Sequence, residues 1–269
     1  MERVNTSSEL LEAQAYIWNQ VFNFINSMSL KCATELGIPN IIHKHDGPMT
    51  LSELVDALPG VDKSKADCVD RLMRVLTHSG FFLMENINST DEKGYSLTHA
   101  SRLLVGDRPG SMKPYVLSLL EPNLTEPWQH LSRWFQDNKD RKAFHAANAM
   151  SLWEYKERNS RYSRLFDQSL ESDTPVVANV IARDCRQVFE GLDSLVAVGG
   201  GTGTLAKAIA EAFPQMHCTV LDLAPVVAGL EGTKNLKYVE GDMFKYIPPS
   251  DAVLLKVCCF NVLRKWFNS

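Results

Sequence analysis

Four glycines in residues 199–203 follow the apolar run Leu195, Val196 and Val198, and a helix-like segment, 205–213, comes directly after them. That order reads as strand, tight turn, helix. Gly199, Gly200, Gly201 and Gly203 let the backbone turn sharply with no Cβ in the way, leaving N–H groups free to face a ligand at a helix N-terminus. The turn is a candidate cofactor seat, and it directs the C-terminal part of the chain toward an α/β fold. Residues 195–198, 217–221, 236–239 and 252–256 read as four strands around it. Strands alternating with helices imply parallel pairing through right-handed crossovers, hence a doubly wound sheet.

Upstream the pattern is helical. Thr6 and Glu9 have the spacing of a capping box, and two apolar stripes follow at helical intervals: Leu11, Ala15, Trp18, Phe22 and Ile25 on one, Ile17, Val21, Phe24 and Met28 beside it. Together they are wider than the stripe of an ordinary surface helix, so either the rest of the chain or a second subunit covers them. Residues 30–36 read as a second helix ended by Gly37, with Pro39 beyond it. Thr50 and Glu53 open a short helix over 51–58, residues 65–78 form another, and 81–84 with 95–97 read as a hairpin.

Helix, turn, helix, hairpin is the winged-helix order. A DNA-reading role is set aside, because Asp67 and Asp70 stand among Lys63, Lys65, Arg71 and Arg74 on the would-be recognition helix and the whole chain carries a net charge of −4. The expected role is structural or dimerising. Arg108-Pro109-Gly110 reads as a joint, giving domains at 1–107 and 108–269. Helical segments follow at 111–120, 126–135, 151–158, 161–170 and 175–189, with Trp128, Trp134, Phe144, Trp153 and Phe166 among them, mostly as core packing.

No apolar run is long enough to span a bilayer, the N-terminus lacks a signal-peptide layout, and the six cysteines contain no C-x-x-C pair. These features point to a cytoplasmic protein with no membrane or nucleic-acid partner, no disulfide scaffold and no metal site.

The glycines fit G-x-G-x-G rather than the dinucleotide fingerprint G-x-G-x-x-G, which would need glycine at Thr204. That departure counts against a nicotinamide-dependent oxidoreductase. Asp222 ends the second strand, where a carboxylate can accept both ribose hydroxyls of an adenosine. Asp242 ends the third strand and with Met243 can hold an adenine edge and face. Lys256 closes the fourth at the same carboxyl edge of the sheet, where ligands of open α/β sheets bind. The ordered set at four strand ends points to an adenosine-type cofactor.

Ser151-Leu-Trp153, 166–173, 188–193, the 198–203 turn, Leu221-Asp-Leu223, Gly241-Asp-Met-Phe244 and Leu254-Leu-Lys256 together resemble plant small-molecule O-methyltransferases, especially those acting on isoflavones and flavonoids. The resemblance runs from the first helix to Lys256. It implies a winged-helix-like dimerisation domain followed by a Rossmann-like methyltransferase domain, and S-adenosylmethionine as cofactor. It further implies cofactor contacts from Gly199, Gly201, Asp222, Leu223, Asp242, Met243 and Lys256. Phe166 and Leu170 match positions lining a pocket for a small phenolic substrate. Family dimers interlock through their N-terminal helices, so the expected partner is a second copy or a longer relative. In the implied reaction a histidine takes the phenolic proton and the phenolate attacks the sulfonium methyl.

The chain departs from the family pattern at three places. After the strand-four lysine the family has tryptophan and then a His-Asp pair, whereas Phe260 stands at the histidine position here and no histidine follows His217. Phenylalanine accepts no proton, and Cys258 and Cys259 are poor substitutes given the ordinary pKa of a thiol. No catalytic residue is therefore assigned. The segment after Lys256 is expected to be foreign to the family and the methyltransferase domain to be incomplete. Finally, the acidic residue two places before the first glycine is Ala197 here, which is expected to weaken cofactor binding.

Overall fold

The structure, a computed structural model, describes residues 6–87, 91–106, 110–137 and 142–256. The expected joint at Arg108 and Pro109 and the tail with Cys258, Cys259 and Phe260 lie outside the described residues. The chain divides into two compact units, Met1–Ser169 and Leu170–Ser269.

The first unit opens with α1 (Ser7–Glu35), α2 (Ile38–His45), α3 (Leu51–Ala57) and α4 (Ala66–His78). Both capping boxes form: Thr6 and Glu9 close α1, Thr50 and Glu53 close α3, and in each the glutamate accepts the N-cap N–H while the threonine oxygen accepts the glutamate N–H. Residues 30–36 are not a separate helix, since α1 runs unbroken to Glu35. Gly37, at φ +71°, then turns the chain directly into α2 and puts Pro39 inside its first turn. A proline there loses nothing, because first-turn N–H groups have no intrahelical partner.

β1 (Phe82–Asn86) and β2 (Lys93–Leu97) form the expected hairpin, with Phe82 opposite Leu97. Met49 bridges to Tyr95 on the free side of β2, and Gly94 is the residue that permits it: a Cβ there would stand 2.8 Å from the Pro48 backbone. Ile38, Leu54, Met73, Leu76, Phe82 and Tyr95 form one buried core. Burial is the main cause of a Tyr95 hydroxyl pushed up to about 12, with Asp70 beside it adding to the shift.

α5 (His99–Arg102) closes the hairpin, and α6 (Lys113–Leu119), α7 (Pro122–Gln129), α8 (Leu131–Gln136), α9 (Ala143–Asn148), α10 (Leu152–Arg158) and α11 (Ser160–Glu171) follow. The expected helix over 126–135 is two helices, parted at His130. Aromatic rings meet in series through this region at tilted or edge-on angles, from Phe144 to Tyr155 to Tyr162 to Phe166 to Trp153, with centroids 5.0 to 6.4 Å apart.

Only the far end of α1 joins this unit's core, through Ala33 and Leu30. Earlier in the helix Leu10, Leu11, Tyr16, Ile17, Trp18, Val21, Phe22 and Phe24 are all more than half exposed, Trp18 at 58% and Phe24 at 60%. The chain itself leaves both apolar stripes bare over those residues.

The second unit contains α12 (Thr174–Asp184), α13 (Arg186–Phe189), β3 (Ser194–Val198), α14 (Thr204–Ala212), β4 (His217–Asp222), α15 (Ala224–Val227), β5 (Leu236–Glu240) and β6 (Ala252–Leu255). The sheet is parallel throughout, in the order β5-β4-β3-β6, with Val198 opposite both Leu221 and Leu255. Leu195 and Ala197 face a core shared with Leu205, Ile209 and Phe213, while Val196 and Val198 face the other side with Leu221 and Met243. This is the alternation of a strand buried on both faces. Cys218 of β4 lies in the first of these cores, where burial pushes its thiol up to about 11.

The amino ends of β3 and β6 are clasped by Asp251. Its Oδ2 accepts the Ser194 hydroxyl at 2.8 Å and the N–H groups of Ser194 and Asp193 at 2.8 and 3.0 Å. These bonds, the Ser194 hydroxyl foremost, hold the Asp251 carboxyl below the usual carboxylate range. A carboxylate lowered on folding stabilises the fold above its unfolded pKa, near 4, and loses that contribution as pH falls through the lower folded value. Asp251→Asn is expected to lower the melting temperature at neutral pH and to flatten its fall in acid. Thermal melts of parent and variant across the acid range read both effects.

Candidate functional site

In the sheet order β5-β4-β3-β6 the chain leaves β3 in one direction toward β4 and later returns to its other side as β6. The carboxyl ends of β3 and β6 therefore flank a topological switch point, where open α/β sheets bind ligands. Gly199 and Lys256 each follow a residue of the Val198–Leu255 pair and stand at that point.

The turn from β3 into α14 uses left-handed backbone at Gly199 (φ +63°), Gly201 (φ +58°) and Gly203 (φ +78°). Two of its glycines are also fixed by space. A Cβ on Gly203 would stand 2.6 Å from the Tyr238 hydroxyl and 3.0 Å from its ring, and one on Gly200 would stand 2.9 Å from Val220 Cγ1. At Gly201 nothing lies within 4 Å of the Cβ position, so the backbone there borders open space that a ligand can approach.

Asp222, at the tip of β4, is held from both sides. Its Oδ2 accepts the Gly201 N–H and its Oδ1 the Leu223 N–H, each at 2.8 Å, while its carbonyl accepts the Gly241 N–H at 2.9 Å. An ionised carboxylate offers about four acceptor positions, so two remain for a ligand's hydroxyls. Leu223 next to it exposes 57% of its surface, an apolar face at the rim.

At the end of β5 Asp242 accepts the Phe244 N–H at 2.9 Å and lies 4.0 Å from Lys245, and Met243 is partly buried against Val196, Val198 and Leu221. A fixed carboxylate pair, glycine backbone bordering open space and an exposed leucine suit a polyhydroxylated, ring-bearing cofactor, so the residues present fit an adenosine group.

Lys256 stands at the expected edge, but its ammonium is engaged by protein: Asp173 Oδ1 at 2.6 Å, the Leu170 carbonyl at 3.0 Å and Thr174 Oγ1 at 3.2 Å. All three ammonium donors have acceptors at the α11–α12 junction. Phe166 is half-buried on α11, between Trp153 and Tyr162 and with Lys156 Nζ 5.3 Å from its ring centroid. Leu170, further along the same helix, is 40% exposed.

Ala197 is buried with its methyl in the apolar core and offers no polar side-chain atom to the turn. Two residues that sequence reasoning passed over do reach it. Tyr238 of β5 donates its hydroxyl hydrogen to the Thr202 carbonyl at 2.9 Å, and Glu171 Oε1 accepts the Thr202 hydroxyl at 2.8 Å. A tyrosine inside a strand and a glutamate at a helix end carry no sequence signal for this; only the pairing of β5 beside β4 brings Tyr238 to the turn.

Comparison with known proteins agrees with this architecture. Residues 18–107 match the O-methyltransferase dimerisation domain and residues 128–265 the O-methyltransferase domain. The second match continues past Lys256, so the segment expected to be foreign to the family falls largely within it. The chain is 53% identical over 263 residues to the trans-resveratrol di-O-methyltransferase of Vitis vinifera, covering 97% of this chain and 72% of that protein. It is 47% identical over 278 residues to the 8-hydroxyquercetin 8-O-methyltransferase of Mentha piperita, covering 97% and 75%.

Among solved structures, CalO1, a methyltransferase of calicheamicin biosynthesis, superposes with a TM-score of 0.75 at 24% identity over 97% of this chain and 73% of its own. Human N-acetylserotonin methyltransferase does so with a TM-score of 0.67 at 20% identity, covering 95% and 72%. The helical N-terminal region with its hairpin is thus a dimerisation domain, the parallel sheet belongs to a Rossmann-like methyltransferase domain, and the chain is a member of the plant O-methyltransferase family.

Proposed function

We propose that the chain binds S-adenosylmethionine at the carboxyl edge of β3, β4 and β5 and descends from enzymes that methylate phenolic small molecules. The observation that carries this reading is the Asp222 carboxylate, fixed between Gly201 and Leu223 with acceptor positions still open. In it Gly199 and Gly201 border the amino-acid end of the cofactor, Asp222 takes the ribose hydroxyls, and Leu223, Asp242 and Met243 surround the adenine. Lys256 acts through Asp173, shaping the site rather than touching the cofactor. Phe166 and Leu170 form part of the phenol's surroundings. The methyltransferase part is taken to begin after the segment near residue 108.

The bound cofactor supplies a methyl group on a positively charged sulfur. What the chain must add is a base for the phenolic proton, and Phe260 at the corresponding position has none to offer. A positioned general base contributes about 10²- to 10⁴-fold to rate. Transfer of labelled methyl to resveratrol is expected at least about 100-fold slower than by the Vitis vinifera relative. A rate matching that relative's would contradict the impairment.

The bare stripes of α1 favour a second copy as the partner, or a longer relative in a heterodimer. A long relative captured by this chain in a pull-down supports the heterodimer, and a mixture that stays separate on sizing contradicts it. The free thiols of Cys32, Cys185 and Cys218 suit the reducing cytoplasm.

A further inference from the structure

The turn carries four glycines in residues 199–203, and the Ala197 side chain just before it gives it no polar anchor. Thr202, at the outer bend of the turn, is instead held from two elements. The Tyr238 hydroxyl donates to its carbonyl at 2.9 Å and the Glu171 carboxylate accepts its hydroxyl at 2.8 Å. Thr202 and Thr204 also share a hydroxyl contact of 3.0 Å, which links the bend to the first residue of α14. The Tyr238 ring, moreover, lies in the space that a Cβ on Gly203 would need.

Each neighbour grips a different atom of one residue, and that residue sits between Gly201, whose N–H is held by Asp222, and Gly203, the N-cap of α14. The bend is therefore fixed at two consecutive residues, Gly201 and Thr202, by side chains from β4, β5 and the end of α11. Glycine-rich backbone loses the most conformational freedom on ordering. A turn already ordered before the cofactor arrives spares that cost at binding.

We propose that Tyr238 and Glu171 are positioning residues for the cofactor, pre-ordering the glycine turn through Thr202 without touching the ligand themselves. This rests on the S-adenosylmethionine reading above.

Calorimetric titration of the full chain with S-adenosylmethionine tests it, comparing the parent with Tyr238→Phe, Glu171→Ala and Glu171→Gln. Tyr238→Phe keeps the ring against Gly203 and removes only the hydroxyl; Glu171→Gln keeps an acceptor oxygen that Glu171→Ala lacks. Tyr238→Phe and Glu171→Ala are expected to weaken binding about 3- to 10-fold, the size of one lost hydrogen bond, at full binding stoichiometry. Glu171→Gln is expected to bind like the parent. A merely structural role would lower the folded fraction, and hence the stoichiometry, without changing affinity. If the parent binds and Tyr238→Phe and Glu171→Ala bind equally well, the positioning role is wrong while the cofactor reading stands. If the parent itself does not bind, the cofactor reading falls and the positioning role with it.

Discussion

Gly203→Ala is expected to weaken cofactor binding by more than the roughly 3- to 10-fold lost in Tyr238→Phe and to lower the unfolding free energy by about 2–5 kcal/mol. Two costs combine. Gly203 has φ +78°, where a residue with a Cβ is disfavoured by about 1–2 kcal/mol. The new methyl would also meet the Tyr238 hydroxyl at 2.6 Å and ring atoms at 3.0 and 3.1 Å. Overpacking of this kind costs about 1–3 kcal/mol. Tyr238 relieves the clash only by swinging away, which breaks its bond to Thr202 and leaves the turn to Glu171 and Asp222 alone. Urea unfolding reads the stability loss and calorimetry the binding loss. Parent-like values in both would mean that the turn is looser than the contacts around Gly203 require.

The second large effect lies at the other end of the chain. Val21→Asp with Phe24→Asp is expected to convert a dimer of twice 30.2 kDa into a monomer. Val21 and Phe24 are 57% and 60% exposed in the single chain and belong to a run of apolar side chains that contributes nothing to the core around Met73 and Leu76. A bare apolar face of that extent on one helix marks an association surface. Two carboxylates placed in it must be desolvated for the subunits to pair, at a cost of several kcal/mol. The variant's far-ultraviolet spectrum and thermal melt should still show a folded chain, because those side chains face no intrachain partner that burial would reveal. Light scattering after size exclusion gives the mass; a parent that is monomeric, or a variant that stays dimeric, contradicts the assignment.

Much of this architecture was legible in the sequence because it rests on local chemistry. The glycine turn, the strands on both sides of it and both capping boxes follow from residue types at fixed spacing, and their observed limits differ from the expected ones by one or two residues. The winged-helix order was legible for the same reason.

What was not legible depends on distant contacts. α1 reads as two helices because Leu30 to Leu36 ends in a glycine, yet no breaker lies between Met28 and Leu30, and the last turns of one continuous helix are those that enter the core. The break at His130 has no glycine, and Pro127 sits inside α7 rather than at the break. At Lys256 the strand-end position marks only the sheet edge, and the cofactor contact is what the family resemblance implies. The lysine's partners Asp173 and Leu170 lie more than eighty residues away, and only the folded chain brings them to it. The same holds for Tyr238, whose importance comes from β5 lying next to β4.

The measurement closest to the central claim is titration of the parent chain with S-adenosylmethionine, beside Asp222→Ala. The Asp222 carboxylate fixes the turn through Gly201 and still has acceptor positions free, so its loss removes both the turn's anchor and the ribose contacts. Saturable binding by the parent, weakened at least about 100-fold in Asp222→Ala, is the predicted result, since hydrogen bonds to a charged group are worth about 1.5–3 kcal/mol each. Absence of binding by a folded parent, or unchanged affinity in the variant, would contradict it.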